Sequence, residues 1–188
     1  MKTWLEDFNQ HLSIVGFRDI KIKDVDKFFQ DSKDKTNNVC VQYFDASLIA
    51  GWEHLLFAAL NALNAFKSKV NISNSLAMET LLYASAQRQI KEAVRLIGIK
   101  PNSSRVAVLI LAETPKQASA VLNVVSKLLG GRRDDSVIDL TEDKVADLKR
   151  LFRISNMELD AKTERKGAEK QALANLVIEH MALLVTQR

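Results

Sequence analysis

NISNSLAMETLLYASAQRQIKEAVRLIGI, residues 71–99, is the stretch on which the fold turns. Within it, residues 80–85 (TLLYAS) form a short apolar run with one aromatic, of strand length. Ser85 then stands where a helix N-cap would accept a first-turn N–H, so a strand is expected to hand over to a helix here. Beyond Gln87, the residues Ile90, Ala93, Val94 and Ile97 recur at i, i+3, i+4 and i+7, the pattern of one buried helical face. Gly98 is expected to end that helix, because glycine adopts the left-handed cap conformation without a Cβ clash. On the other side Arg88, Lys91 and Arg95 share a stripe of cations that faces solvent or a partner.

Working outward, residues 105–111 (RVAVLIL) are apolar on both faces, which predicts a central strand with helices over it. Thr114 and Pro115 cap and start a helix whose core stripe is Ala118, Val121, Leu122 and Val125, ending at the Gly130–Gly131 pair. Toward the N-terminus, residues 39–44 (VCVQYF) read as a strand, residues 13–17 and 20–22 as strand material, and Asp24 as the cap of a short helix with Val25, Phe28 and Phe29 inward. Residues 4–11 read as a short helix or as an extension docked on the domain, residues 1–12 in all. Residues 53–66 form a helix apolar on nearly all sides and hence largely buried. Lys67 and Lys69 close it, meeting the negative end of the helix dipole or a phosphate. Residues 137–140 suggest an edge strand, Thr141 opens a helix with Val145, Leu148 and Phe152 inward, and 156–170 is a charged linker. The last helix, running to about Gln187, carries Leu173, Leu176, Val177, His180 and Leu184 on one face. Further apolar residues, Met181 and Val185 among them, offer surface to a partner protein. The sum is an α/β (α+β) single domain over residues 1–188, with a small mixed sheet of about three to five strands covered by several helices.

With 188 residues, 47% hydrophobic and 27% charged, the chain can bury its own core. Its lone cysteine, Cys40, cannot form an internal disulfide, so a reducing, cytoplasmic setting is expected. MKTWLEDFNQ lacks a secretory apolar region, and LLFAALNALNAF is too short and too interrupted for a span, so export and membrane insertion are not expected. The net charge of +4 with a pI of 9.2 is compatible with an anionic partner without requiring one.

Catalytic signals are missing. His11, His54 and His180 lie far apart with no partner at ligand spacing, so no metal or other cofactor is expected. No Walker, GxGxxG or GxSxG pattern occurs. GGRRDD offers Arg132 and Arg133 to phosphate, although a helix cap followed by a solvated turn explains them equally well. From the residues alone, a solvated face also accounts for Arg88, Lys91 and Arg95 better than a binding role does.

A family resemblance changes that weighting. LLYASAQRQIKEAVRLIGI resembles the helix of the smallest core subunit of KEOPS, the PRPK-binding protein family, in its archaeal form. The likeness includes Arg88, Gln89, Ile90, Ala93, Gly98 and Ile99. It extends back through Glu79 and GWEHLLFAALNA, with Glu53, His54 and Ala58 in place, and forward into RVAVLIL. It covers roughly residues 14–129 well and the last helix loosely. Asn74 stands where the archaeal pattern has a lysine, which removes one basic contact. The resemblance implies a non-catalytic subunit that binds and activates a PRPK-type kinase or ATPase and recruits tRNA, by its single-stranded 3′ CCA end, for threonylcarbamoyladenosine modification. On that reading Arg88, Gln89, Lys91, Arg95, Lys67 and Lys69 contact RNA. Glu53, His54, Glu79, Ile90, Ala93 and Gly98 hold the structure, with Ile90 in the core, while Met181, Leu184 and Val185 face a protein partner. A weak homodimer in isolation is compatible with this reading, and the sequence does not decide the oligomeric state. A kinase adaptor without RNA binding and an α/β enzyme of RNA metabolism are the alternatives.

Overall fold

The computed structural model describes residues 1–37 and 39–186, with the side chains of Val185 and Thr186 outside that description. The chain divides into two compact units, Met1–Ser47 with Gly98–Val137 and Leu48–Ile97 with the chain from Ile138 onward. The class is α+β, as the sequence implies.

The first unit is built on a five-stranded sheet in the order β1-β2-β4-β3, with β5 pairing β2. Every pairing is antiparallel, where the sequence pattern suggests a mixed sheet. Such pairs need no helical crossover between neighbouring strands. Residues 1–12 are not a helical extension. β1 (Lys2–Leu5) and β2 (Gln10–Arg18) form a hairpin, because a single 3-10 turn at Glu6–Phe8 and a left-handed Asn9 (φ +52°) reverse the chain. The strand expected at 13–17 is thus longer, and the one at 20–22 is absent. Asp19 at φ +60° turns the backbone out of the ladder, and Ile20 and Ile22 enter the core from a loop.

β4 (Arg105–Ala112) lies between β2 and β3 (Cys40–Asp45), the central position its two apolar faces predict. Asp24 caps α1 (Val25–Lys35) by accepting the Lys27 N–H at 2.9 Å; Phe28 is buried, whereas Phe29 stays 38% exposed. α5 (Pro115–Leu129) begins at the Thr114 cap and ends at left-handed Gly130. Both helices supply one core with the sheet: Phe28, Val121, Leu122 and Val125 pack with Phe17, Tyr43, Val106, Val108 and Ile110. Buried Tyr43 gives its hydroxyl a partner in Ser32, 2.6 Å away. The edge strand expected at 137–140 is displaced to β5 (Arg132–Arg133), and Asp135–Ile138 is a 3-10 turn. Gly131 explains the shift, since a Cβ there would come within 2.4 Å of the Arg18 carbonyl and block the approach to β2.

The second unit is helical: α2 (Trp52–Lys67), α3 (Leu76–Ser85), α4 (Ile90–Ile97), α6 (Glu142–Phe152), α7 (Asn156–Lys162) and α8 (Glu169–Ala182). The main departure from the sequence reading is α3, because residues 80–85 continue a helix and do not form a strand. Ser75 caps it by accepting the Met78 N–H, and Leu81, Leu82, Tyr83 and Ala84 are buried as consecutive helical residues. A short helix enclosed on all sides carries the same run of apolar residues as a buried strand. Ser85 is accordingly its last residue and no N-cap; its hydroxyl donates back to the Leu82 carbonyl at 3.1 Å. Gly98 is buried after α4 but does not take the left-handed conformation.

α2 is largely buried through Leu55, Ala58, Ala59, Ala62 and Leu63, as its composition demands. The 156–170 segment is no linker throughout, since a Ser155–Glu158 capping box sets α7. α8 packs against α2, α3, α6 and α7, which accounts for apolar residues on most of its circumference. Gln187, the expected end of this helix, lies outside the described residues. Among the described residues no helix is long and apolar enough to cross a membrane.

Candidate nucleic-acid interface

The α3–α4 turn is shaped by the end of α3. Ala86 takes the left-handed conformation at φ +50°, and the Gln87 N–H returns to the Leu82 carbonyl at 3.0 Å. That cap ends the helix and projects Arg88, Gln89 and Ile90, all exposed, before α4 begins with Glu92 and Ala93 N–H groups on the Gln89 carbonyl. Among the described residues Arg88 keeps a single long hydrogen bond, Nη1 to the Leu184 carbonyl at 3.5 Å, so its guanidinium is tethered yet exposed.

Along α4 the outward surface differs from the expected stripe. Ala93 and Ile97 are buried, but Ile90 and Val94 are 43% and 40% exposed. Ile90 is therefore no core residue: it shares the angular face of Ala93 and Ile97, but it stands at the very start of the helix and stays open there. The result is an apolar i, i+4 pair, Ile90 and Val94, beside a cationic i, i+4 pair, Lys91 and Arg95. Arg95 is partly committed, since its Nε donates to Glu92 Oε2 at 2.9 Å; the same hydrogen bond draws the Glu92 carboxyl below its usual range. The patch remains net positive, with flat apolar surface next to its charges, a combination suited to phosphates together with bases.

Other sequence candidates are not gathered here. Lys67 and Lys69 are exposed around the turn that precedes α3, whereas Arg88 follows α3; ten helical residues, about 15 Å, stand between. Arg132 and Arg133 belong to the sheet unit and face carboxylates, Arg132 to Asp19 at 3.7 Å and Arg133 to Asp135 at 2.8 Å. Met181 and Leu184 are buried in the helical unit, so they fill its core and do not lie open to a partner. Val185 falls where side chains are not described. The open apolar residue at that end is Leu183, 52% exposed.

Of the residues expected to hold the structure, His54, Glu79, Ala93 and Gly98 are buried, Glu53 is half-buried and Ile90 is exposed. Buried Glu79 accepts the Ile72 and Ser73 N–H groups, the latter at 2.7 Å, and fixes the loop before α3. His54 is fully buried; its Nδ1 accepts the Ala50 N–H at 3.1 Å and its Nε2–H donates to the Ala84 carbonyl at 2.8 Å. Burial, reinforced by the charge of Lys144, lowers its pKa to about 4 despite the Ala84 bond. Lys144 itself is 2% exposed, with Nζ 3.3 Å from the Ile49 carbonyl. Sequence reasoning missed it, although its spacing to Leu148 and Phe152 places it on their inward stripe. Trp52 and Phe57 on α2, 39% and 40% exposed, were missed as open surface as well. Ser85, Ala86 and Gln87 line a cavity of about 220 Å³ with Leu151, Phe152, Arg153 and His180.

Comparison with known proteins identifies the family. Residues 17–184 match the family model described as kinase binding protein CGI-121. The chain belongs to that family. Among CGI-121 relatives, the regulatory protein Cgi121 of Methanocaldococcus jannaschii is 34% identical over 113 residues, 60% of this chain and 70% of that protein. Glu53, His54, Glu79, Arg88 and the rest of the α3–α4 turn lie inside the CGI-121 match, and Trp4 lies outside it.

Proposed function

We propose that the protein is a non-catalytic regulatory subunit that docks on a PRPK-type kinase or ATPase and holds the single-stranded CCA end of tRNA across the α3–α4 turn. The kinase-binding half is carried by membership of a kinase-binding family over residues 17–184. Open apolar residues in the helical unit, Trp52, Phe57 and Leu183, support a protein contact there. The RNA half is carried by one observation: Arg88, Gln89 and Lys91 are exposed beside the exposed Ile90–Val94 pair. Guanidinium fits phosphate by its donor fork and stacks on bases by its plane, while Ile90 and Val94 give unstacked bases an apolar seat. Recruitment then acts by holding a substrate at high effective concentration near a modifying partner, with no chemistry on this chain.

Arg88→Glu tests the assignment, because it reverses a charge at an exposed site and leaves the core untouched. Expected is a loss of tRNA affinity of about tenfold or more in a filter-binding titration, with capture of the kinase subunit retained. Unchanged tRNA affinity removes Arg88 from the site.

A further inference from the structure

The Arg88 turn is exposed, yet the Ala84 carbonyl just before it is bonded to a buried residue thirty positions earlier in the chain, His54. Because α3 stops at Ser85, its final carbonyls lose their helical donors and need others. Leu82 receives the Gln87 N–H and the Ser85 hydroxyl, and Tyr83 receives the Ala86 N–H. Ala84 is served by a side chain, the His54 Nε2–H at 2.8 Å. The other nitrogen of that ring accepts the Ala50 N–H at 3.1 Å, which fixes the tautomer with hydrogen on Nε2. Neither nitrogen is exposed to water, and the ring is wedged edge-on against Phe152 at 5.7 Å. Phe152 in turn borders the same cavity as Ser85, Ala86 and Gln87. On the far side of Ala50, Lys144 Nζ reaches the Ile49 carbonyl at 3.3 Å.

We infer that His54 is a positioning residue for the RNA-gripping turn: by bridging the Ala50 N–H to the Ala84 carbonyl it holds the left-handed Ala86 cap and so aims Arg88, without touching RNA itself. A residue that merely filled volume there would need no nitrogen at either end. This inference rests on the RNA reading above for its functional half, while the clamp itself stands on geometry alone.

The test uses the full chain in three forms: wild type, His54→Phe, which keeps a flat ring and removes both hydrogen bonds, and Val125→Ala, a destabilised control in the core of the sheet unit. Amide exchange of Ala86 and Gln87 and tRNA affinity are measured on each, with exchange normalised to the melting temperature. His54→Phe is expected to speed exchange at both amides and to weaken tRNA binding, each by about tenfold, the equivalent of one lost buried hydrogen bond. Val125→Ala is expected to leave the affinity at the wild-type value. Should His54→Phe fail to fold, His54→Gln, whose flexible amide can donate to the Ala84 carbonyl but lacks the rigid ring that fixes both ends, carries the same test with a smaller effect at the same two amides. Normalised exchange that matches wild type overturns the clamp whether or not RNA binds. Faster exchange together with a wild-type protein that holds no tRNA supports the clamp and overturns the RNA reading.

Discussion

His54 shows how one side chain ties sequence to stability. Its neutral ring satisfies two backbone groups at once, and protonation would leave the Ala50 N–H facing another donor in a dry site next to Lys144. The folded-state pKa of about 4 lies below the ordinary value of 6.5, so in that window the unfolded chain binds the proton and the folded chain refuses it. Stability is therefore full above pH 6.5, declines as pH falls and levels off below 4; the loss attributable to His54 approaches about 3 kcal/mol. Urea midpoints measured at pH 7 and pH 4.5 should differ less for His54→Gln than for wild type, and equal shifts would contradict the protonation account. Glu79 makes a complementary case. Its carboxylate is buried against the Ile72 and Ser73 N–H groups, so Glu79→Ala should cost about 2–4 kcal/mol in urea denaturation by leaving buried donors unpaired. A change within about 0.5 kcal/mol would show that the loop finds other partners.

Among the elements, α4 separates what burial decides from what periodicity suggests. Ile90, Ala93, Val94 and Ile97 share a spacing, but a helix of eight residues lying at the edge of its unit has room to bury only Ala93 and Ile97 fully. Ile97→Ala should cost about 2–5 kcal/mol through lost burial and a residual cavity. Ile90→Ala should cost under about 1 kcal/mol while weakening tRNA binding severalfold, and a large loss of stability at Ile90 would return it to the core. The elements with explicit punctuation were legible in the sequence: Asp24 before α1, Thr114-Pro115 before α5, Gly130 after it, and the two-faced apolar run of β4. α3 was not, because its outward and inward positions are both apolar and its helical signal, the Ser75 cap with Ala, Met and Glu following, precedes the run that resembles a strand. The β1–β2 hairpin escaped notice for a different reason: its turn rests on a left-handed asparagine, a conformation that local sequence permits without demanding it.

At the level of the whole molecule, the sheet unit and the helical unit divide the observations. Arg18, Arg132 and Arg133 in the sheet unit face Asp134, Asp19 and Asp135, so each of these three arginines is opposed locally. Within the helical unit, Arg88 and Lys91 have no carboxylate within ion-pair distance among the described residues, and exposed apolar side chains accompany them. The balance of +4 thus says less than its distribution does. Which cations are left uncompensated was invisible in the sequence, since ion pairs such as Arg132 with Asp19 join residues more than a hundred positions apart. The RNA-binding proposal therefore stands on the local character of the α3–α4 turn. Its most direct test is a gel-shift titration of the full chain with intact tRNA and with the same tRNA lacking its CCA tail. The account predicts that removing the tail abolishes or severely weakens the shift; equal affinity for the two RNAs would contradict it.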